Sequence, residues 1–264
     1  ARPTGERAQP VSTPEPLSAT TAAPTWWRRP GFDVVDGRLS LNDADLEALA
    51  REHGTPLFVY DLARPRENMR VLQDALTRAG VPYVTRFALK ASPDPRILAV
   101  LRAMGAPGAP DSVGIDACSP GEVTHALANG WEPFEISHTG TNVSERDLDV
   151  LLARPIRINL DGVSQVERLG RRAPGRTIGL RINQGAGAGY TEHLSYAGER
   201  PTKFGVSEDR LDDAIAAARR HGLVVDTLHF HAGSGWLGDQ LDGFETALER
   251  ATPFLDRLLA EGFP

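Results

Sequence analysis

Lys90, His229, His231 and Ser234 are the residues whose types and spacing point most directly to chemistry. Lys90 closes the run Tyr83-Val84-Thr85-Arg86-Phe87-Ala88-Leu89-Lys90. A lysine at the carboxyl end of a largely apolar strand presents an amine that partial desolvation makes nucleophilic toward a carbonyl. On this segment alone, a lysine snorkelling from a strand end is the competing reading. In Thr227-Leu228-His229-Phe230-His231-Ala232-Gly233-Ser234-Gly235-Trp236, the strand period of two puts His229 and His231 on one face, with Leu228 and Phe230 on the other. Gly233, Ser234 and Gly235 then offer backbone N–H groups beside a hydroxyl, a nest suited to a phosphate. Two imidazoles on one face can equally open a zinc site, or sit hydrogen-bonded in a polar layer. The run Gly185-Ala186-Gly187-Ala188-Gly189 imitates a dinucleotide loop, but no helical period follows it. The phosphate fingerprint needs a helix opening directly from the glycines, so the run reads as a flexible loop.

These residues need a scaffold, and the sequence alternates short apolar runs with helical patterns. Strands are expected at Leu57–Asp61, Tyr83–Lys90, Val113–Ala117, Phe134–His138, Ile156–Asp161, Ile178–Asn183 and Val224–His231. Between them, Arg64–Ala79, Pro95–Met104, Pro120–Asn129, Glu145–Ala153, Gln165–Arg171 and Glu208–His221 read as amphipathic helices. An earlier helix is signalled by Asn42 or Asp43 as cap, Leu46, Leu49 and Ala50 on one face, and Gly54 as the stop. Apolar strands separated by helices imply parallel pairing through right-handed crossovers, and so an α/β protein. A barrel and a doubly wound sheet both satisfy that pattern. Lys90, Asp116, His138, Asp161, Asn183 and His231 all stand at downstream strand ends. That is the face on which a barrel gathers its loops and its chemistry, so the regularity favours a barrel.

Composition narrows the rest. The chain has 264 residues, 41% of them hydrophobic and 24% charged, with a net charge of −6. These are ordinary globular values, and without a long Lys/Arg run neither nucleic acid nor an anionic membrane is an expected partner. The single cysteine, Cys118, cannot form an internal disulfide. Neither a membrane-length apolar run nor a secretion signal is visible, and the expected setting is the cytoplasm. Residues 1–30, rich in Pro, Ser, Thr and Ala, are expected to be a flexible extension.

Five segments in order carry a family resemblance: Phe58-Val59-Tyr60-Asp61, Phe87-Ala88-Leu89-Lys90-Ala91, Gly114-Ile115-Asp116-Ala117-Cys118-Ser119-Pro120-Gly121-Glu122, Lys203-Phe204-Gly205 and His229-Phe230-His231-Ala232-Gly233-Ser234-Gly235. Over roughly residues 40 to 264 the chain resembles the fold-type III pyridoxal-phosphate decarboxylases of amino acids, and among them most the diaminopimelate decarboxylases. The resemblance implies pyridoxal 5'-phosphate as cofactor, with no metal, on an alanine racemase-like (β/α)8 barrel. It implies that Lys90 holds the cofactor covalently and that His231 stacks on its ring. Ser234, with Gly233 and Gly235, would begin the phosphate site; Asp116 and Glu122 would lie near the cofactor and Arg181 beneath it. Cys118 is not the family's catalytic cysteine.

Decarboxylation leaves a carbanion that a conjugated pyridinium delocalises, so the protein must supply an amine, a stacking face and a phosphate anchor. The implied reaction is decarboxylation of an amino acid, meso-diaminopimelate to lysine or a related diamino acid, in a homodimer. A racemase or a non-catalytic cofactor-holding protein of the same fold are alternatives, as is a zinc hydrolase using His229 and His231. Departures from the family pattern also shape the expectation. Six barrel strands are assigned, starting with the one that carries Lys90, and the barrel is expected to stop two strands short, before a C-terminal β domain. Residues 31–62, with the Leu57–Asp61 strand, would associate with that β domain, and residues 63–264 would form the incomplete barrel.

Overall fold

The structure is a computed structural model that describes residues 31–187, 202–234 and 241–264. It divides into two units, with the boundary between Asp61 and Leu62. In the first unit, β1 (Phe32–Val35), β2 (Arg38–Leu41) and β3 (Ala44–Asp45) form an antiparallel meander that runs into α1 (Leu46–His53). None of these strands was anticipated, although their turns are legible. Asp36-Gly37 and Asn42-Asp43 are two-residue loops in which every residue has positive φ, the geometry that matches strand twist. The α1 cap is Asp45, whose carboxylate accepts from the N–H groups of Glu47 and Ala48. Asn42 and Asp43, expected as caps, are spent on the turn.

The expected strand Leu57–Asp61 does not form. No described strand pairs with this segment, and Phe58 is 83% exposed. β-Branched and aromatic composition favours a strand only where a ladder partner and a packing surface exist.

The second unit holds α2 (Ala63–Arg78) and a regular alternation: β4 (Thr85–Ala88), α3 (Pro95–Arg102), β5 (Val113–Ala117), α4 (Pro120–Ala128), β6 (Ile136–Thr139), α5 (Glu145–Leu152), β7 (Arg157–Leu160), α6 (Val163–Arg172), β8 (Thr177–Arg181), α7 (Leu211–Arg220), β9 (Val224–His229) and α8 (Leu241–Ala260). The six strands are all parallel and stand in chain order, β4-β5-β6-β7-β8-β9. A doubly wound sheet reverses its strand order at a switch point; an unbroken sequential order is that of an α/β barrel wall. Most expected strands are shorter in fact. Tyr83 and Val84 stay outside β4, and Phe134 lies in the 3₁₀ turn Pro133–Glu135.

One face of the sheet packs on the helices. Ile115, Ile136, Ile158, Leu160, Ile178 and Leu180 meet Leu98, Leu101, Val123, Leu151, Val166, Leu169 and Ile215, and all are buried. Each such side chain contributes roughly 2 kcal/mol on leaving water. The βα turns that leave the carboxyl ends are tightly capped. Asp94 caps α3, Ser119 caps α4, and Ser144 with Asp147 forms a capping box on α5; α3 and α4 also carry proline at their first position. These caps hold the loops on which the candidate site is built.

The opposite face is polar. Asn159, Gly179 and Thr227 align across β7, β8 and β9. Lacking a side chain, Gly179 leaves room for Asn159 and Thr227, since an added methyl would collide with the Asn159 Oδ1 atom. From β7, Arg157 reaches past β8 to Asp226 on β9, with Nη1–Oδ1 at 2.5 Å, and also donates to Thr227.

Candidate active site

The carboxyl ends of the six strands gather the candidate residues. Lys90 lies just past β4, in the 3₁₀ turn Leu89–Ala91 rather than on the strand, and it is exposed. The desolvation expected of a strand-end lysine is therefore not provided by this chain's own packing. Next to it in register, Ala88 pairs with Asp116 on β5. Asp116 is half-buried and accepts from Ser137 Oγ at 3.0 Å. Burial pushes its carboxyl up from the ordinary aspartate range, against the pull of Ser137, Lys90 and Arg86.

Glu122, expected near the cofactor, closes the β5–α4 turn. Its carboxylate accepts from the Cys118 N–H at 2.9 Å, while its own N–H donates to Ser119 Oγ. Desolvation, followed by the Glu122 charge, raises the exposed Cys118 thiol, which disfavours the nucleophilic thiolate.

His138 is not at the mouth. It is 1% exposed and shares a small void with Val143, Leu148, Ile158 and Leu160, inside the helix-facing layer. Neither ring nitrogen has a hydrogen-bond partner among the described residues, and burial brings its pKa down to about 4. The reason is register: two residues after Ile136, His138 shares that residue's inward face.

At the far side of the sheet, Arg181 ends β8 and pairs in register with His229 on β9. Its guanidinium meets Asp161 at 3.3 Å and covers the Phe204 ring, 4.9 Å from the ring centre. Phe204 arrives with Lys203-Phe204-Gly205, a loop that adds a parallel bridge between Val206 and Ile182. Gly205 has φ +73°, and a Cβ there would lie 2.5 Å from the Ile182 carbonyl, so only glycine lets the loop come this close. Asp161 and Phe204 were not among the expected site residues. Asp161 carried the signal of a strand-end carboxylate, and Phe204 that of the resembling segment around it.

His229 closes β9 and His231 lies two residues past it, outside the strand. Burial first, then the Arg181 cation, lowers each of them; for His229 the value is about 4. The Gly233 N–H, expected to face a phosphate, donates instead to His231 Nδ1 at 3.0 Å. That bond makes Nδ1 an acceptor and places the neutral ring's proton on Nε2. A guanidinium beside two imidazoles repels a dication, which disfavours the zinc reading. Among the described residues, no three His, Cys, Asp or Glu side chains converge. Ser234 is exposed beside Gly233, whereas Gly235 and residues 1–30 lie outside the described residues. The Lys90 charge lowers both the His231 imidazole and the Asp116 carboxyl, so it reaches both sides of the mouth.

This donor set fits pyridoxal phosphate. A primary amine can meet an aldehyde, a neutral imidazole can lie against a ring, and a hydroxyl beside glycine can meet a phosphate. The comparisons agree. Residues 62–264 match the model of the pyridoxal-binding domain of pyridoxal-dependent decarboxylases. The chain is 40% identical over 210 residues to the diaminopimelate decarboxylase of Methanothermobacter thermautotrophicus, covering 79% of this chain and 47% of that protein. It is 35% identical to the Streptomyces coelicolor diaminopimelate decarboxylase, over 74% of this chain and 42% of the relative. A crystal structure of diaminopimelate decarboxylase aligns with a TM-score of 0.64 at 30% identity, over 79% of this chain and 47% of that one. The chain spans about half the length of the curated relatives it matches. It belongs to the pyridoxal-dependent decarboxylases, and residues 62–264 are their pyridoxal-binding domain.

Proposed function

We propose that this chain provides the cofactor-binding half of an amino-acid decarboxylase that converts meso-diaminopimelate to lysine. The observation that carries the reading is the exposed Lys90 amine at the strand ends, in one electrostatic neighbourhood with Asp116 and His231. The substrate rests on relatives named for that activity, and on a solved Helicobacter pylori diaminopimelate decarboxylase complexed with L-lysine, 25% identical to this chain with a TM-score of 0.70. Among the described residues, no helix is long and apolar enough to cross a membrane. A cytoplasmic homodimer without nucleic-acid or membrane partners completes the proposal, with residues 31–62 associated with a β domain.

Bound at this mouth, pyridoxal phosphate supplies the electron sink that lets an α-amino acid lose its carboxylate as carbon dioxide. Lys90 would hold the cofactor through its Nζ, and its exposed amine is the group that would move a proton at the substrate Cα. His231, its imidazole lowered by burial and by the Arg181 cation, would offer a flat face to the cofactor without adding a competing cation. Ser234, beside Gly233 and ahead of Gly235, would hold the phosphate through its exposed hydroxyl. Asp116 and Arg181 bracket the site with opposite charges, and Glu122 keeps the Asp116 loop closed.

The test is carbon dioxide release by the full-length protein, loaded with pyridoxal phosphate and offered a panel of diamino acids. Turnover of meso-diaminopimelate that is lost in Lys90→Ala supports the reading. Turnover of another amino acid alone would reassign the substrate, and racemisation without carbon dioxide would replace the reaction.

A further inference from the structure

We propose that Asp161 is a positioning residue for Arg181, and that the Lys203–Gly205 loop is the second jaw of the same clamp. The proposal rests on the mouth being the cofactor site. Asp161 stands one residue past β7, with its side chain only 2% exposed. One oxygen accepts from Thr141 Oγ1 at 2.9 Å and from Arg181 Nη1 at 3.3 Å. The other lies 3.4 Å from Gln165 Nε2, and the nearby Gly205 N–H lowers the carboxyl. Gln165 is itself pinned: its Nε2 donates to the carbonyls of Gly140 and Thr141, and its Oε1 accepts from the Asp161 N–H. The Thr141 loop, the first turn of α6, the Gly205 loop and the end of β8 therefore meet around one carboxylate, which is held by groups other than Arg181.

Phe204 closes the clamp from the other side. Gly205 presses on the Ile182 carbonyl and the Val206 N–H donates to the Arg181 carbonyl at 2.8 Å, so the loop that delivers the ring is tied to the strand that delivers the guanidinium. Stability does not account for this arrangement. Burial raises the Asp161 carboxyl despite its donors, and a buried charge pair gains little beyond its desolvation cost, so the pair is a poor source of folding energy. What the clamp secures is a cation of fixed position at the mouth, beside His229 and His231. An unclamped arginine would spread the same charge over many rotamers.

A double-mutant cycle tests the proposal in the full-length protein, with the dissociation constant for pyridoxal phosphate as the reading. Asp161→Asn keeps the shape and removes the charge; it is expected to weaken cofactor binding about tenfold, the worth of one hydrogen bond to a charged group. In an Arg181→Gln background the same change should add less than about twofold, because its target is gone. Phe204→Leu should behave in the same way. If Asp161→Asn does not fold, Thr141→Val, which removes one donor to the same carboxylate, goes through the cycle instead. An equal loss in both backgrounds would show that Asp161 serves the fold, and no loss would show that it serves neither; both overturn the proposal. Lys90→Ala in the same titration separates the underlying reading: cofactor uptake that ignores Lys90 overturns the site itself, whereas Lys90-dependent uptake with an additive cycle overturns only the clamp.

Discussion

Two arginine–aspartate pairs span this sheet, and they are built on opposite principles. Toward the amino end, Arg157 and Asp226 are 35% and 30% exposed, and the Arg157 hydrogen bond pulls the Asp226 carboxyl below its ordinary range. At the carboxyl end, Arg181 and Asp161 are 11% and 2% exposed, and burial pushes Asp161 the other way. The first pair is favourable and modest; the second is sequestered and costly. A charge pair held against its desolvation penalty is intelligible where something other than stability is at stake, and in an α/β barrel that is the carboxyl face. The same division separates the residues around them. Lys90, Asp116 and His231 stand at or just past strand ends, on the exposed or half-buried carboxyl side, whereas Ile158, Leu160 and Ile178 form the sealed layer that carries the folding energy.

The comparison breaks most visibly at Lys90. In the full-length protein, Lys90→Ala should cost roughly a thousandfold or more in kcat, since the residue both holds the cofactor and moves a proton. The same change should leave stability within about 0.5 kcal/mol, because the side chain is exposed. Steady-state kinetics beside urea denaturation measures both, and a large loss of stability would place Lys90 in the framework instead.

In the sealed layer the signs reverse. Leu160→Ala should cost about 3 kcal/mol by leaving a cavity, with kcat of the folded fraction unchanged. His138 sharpens the contrast through pH. Its folded pKa of about 4 lies below the unfolded value of about 6.5, so the unfolded chain binds its proton first as pH falls. Its contribution is complete above about pH 6.5 and is lost as pH falls toward about 4, a change of roughly 3 kcal/mol. Replacing His138 with Phe should flatten that part of the stability profile, read by denaturant melts at a series of pH values. An unchanged acid limb would show that the ring reaches water.

The smallest effect is expected at the amino-end pair. Asp226→Asn should cost less than about 1 kcal/mol at neutral pH, and the difference should fade as pH falls below the ordinary aspartate value of about 3.9, where the wild-type carboxylate is protonated as well. A cost of several kcal/mol would make this pair as sequestered as the upper one.

What was legible beforehand follows the range of each interaction. The alternation of strands and helices, and the placement of Lys90, Asp116 and His231 at strand ends, follow from local periodicity, which the sheet obeys. The Asp161–Arg181–Phe204 clamp does not, because its members sit on three segments and meet only through the register of β7 against β8 and the close approach of Gly205. His138 looked like a mouth residue because it ended the expected run Phe134–His138. Its true face is set by Ile136, and a strict count of two from that residue would have buried it. Leu57–Asp61 looked like a strand by composition alone, and composition says nothing about whether a partner is present.

Lys90 offers the most direct measurement. The sequence contains only two lysines, Lys90 and Lys203, and Lys203 lies over the Phe204 ring. The full-length protein loaded with pyridoxal phosphate, reduced with borohydride and digested, should carry the cofactor's added mass on the peptide containing Lys90. An adduct on Lys203, or no adduct on any lysine of this chain, would contradict the assignment of the strand-end mouth as the cofactor site.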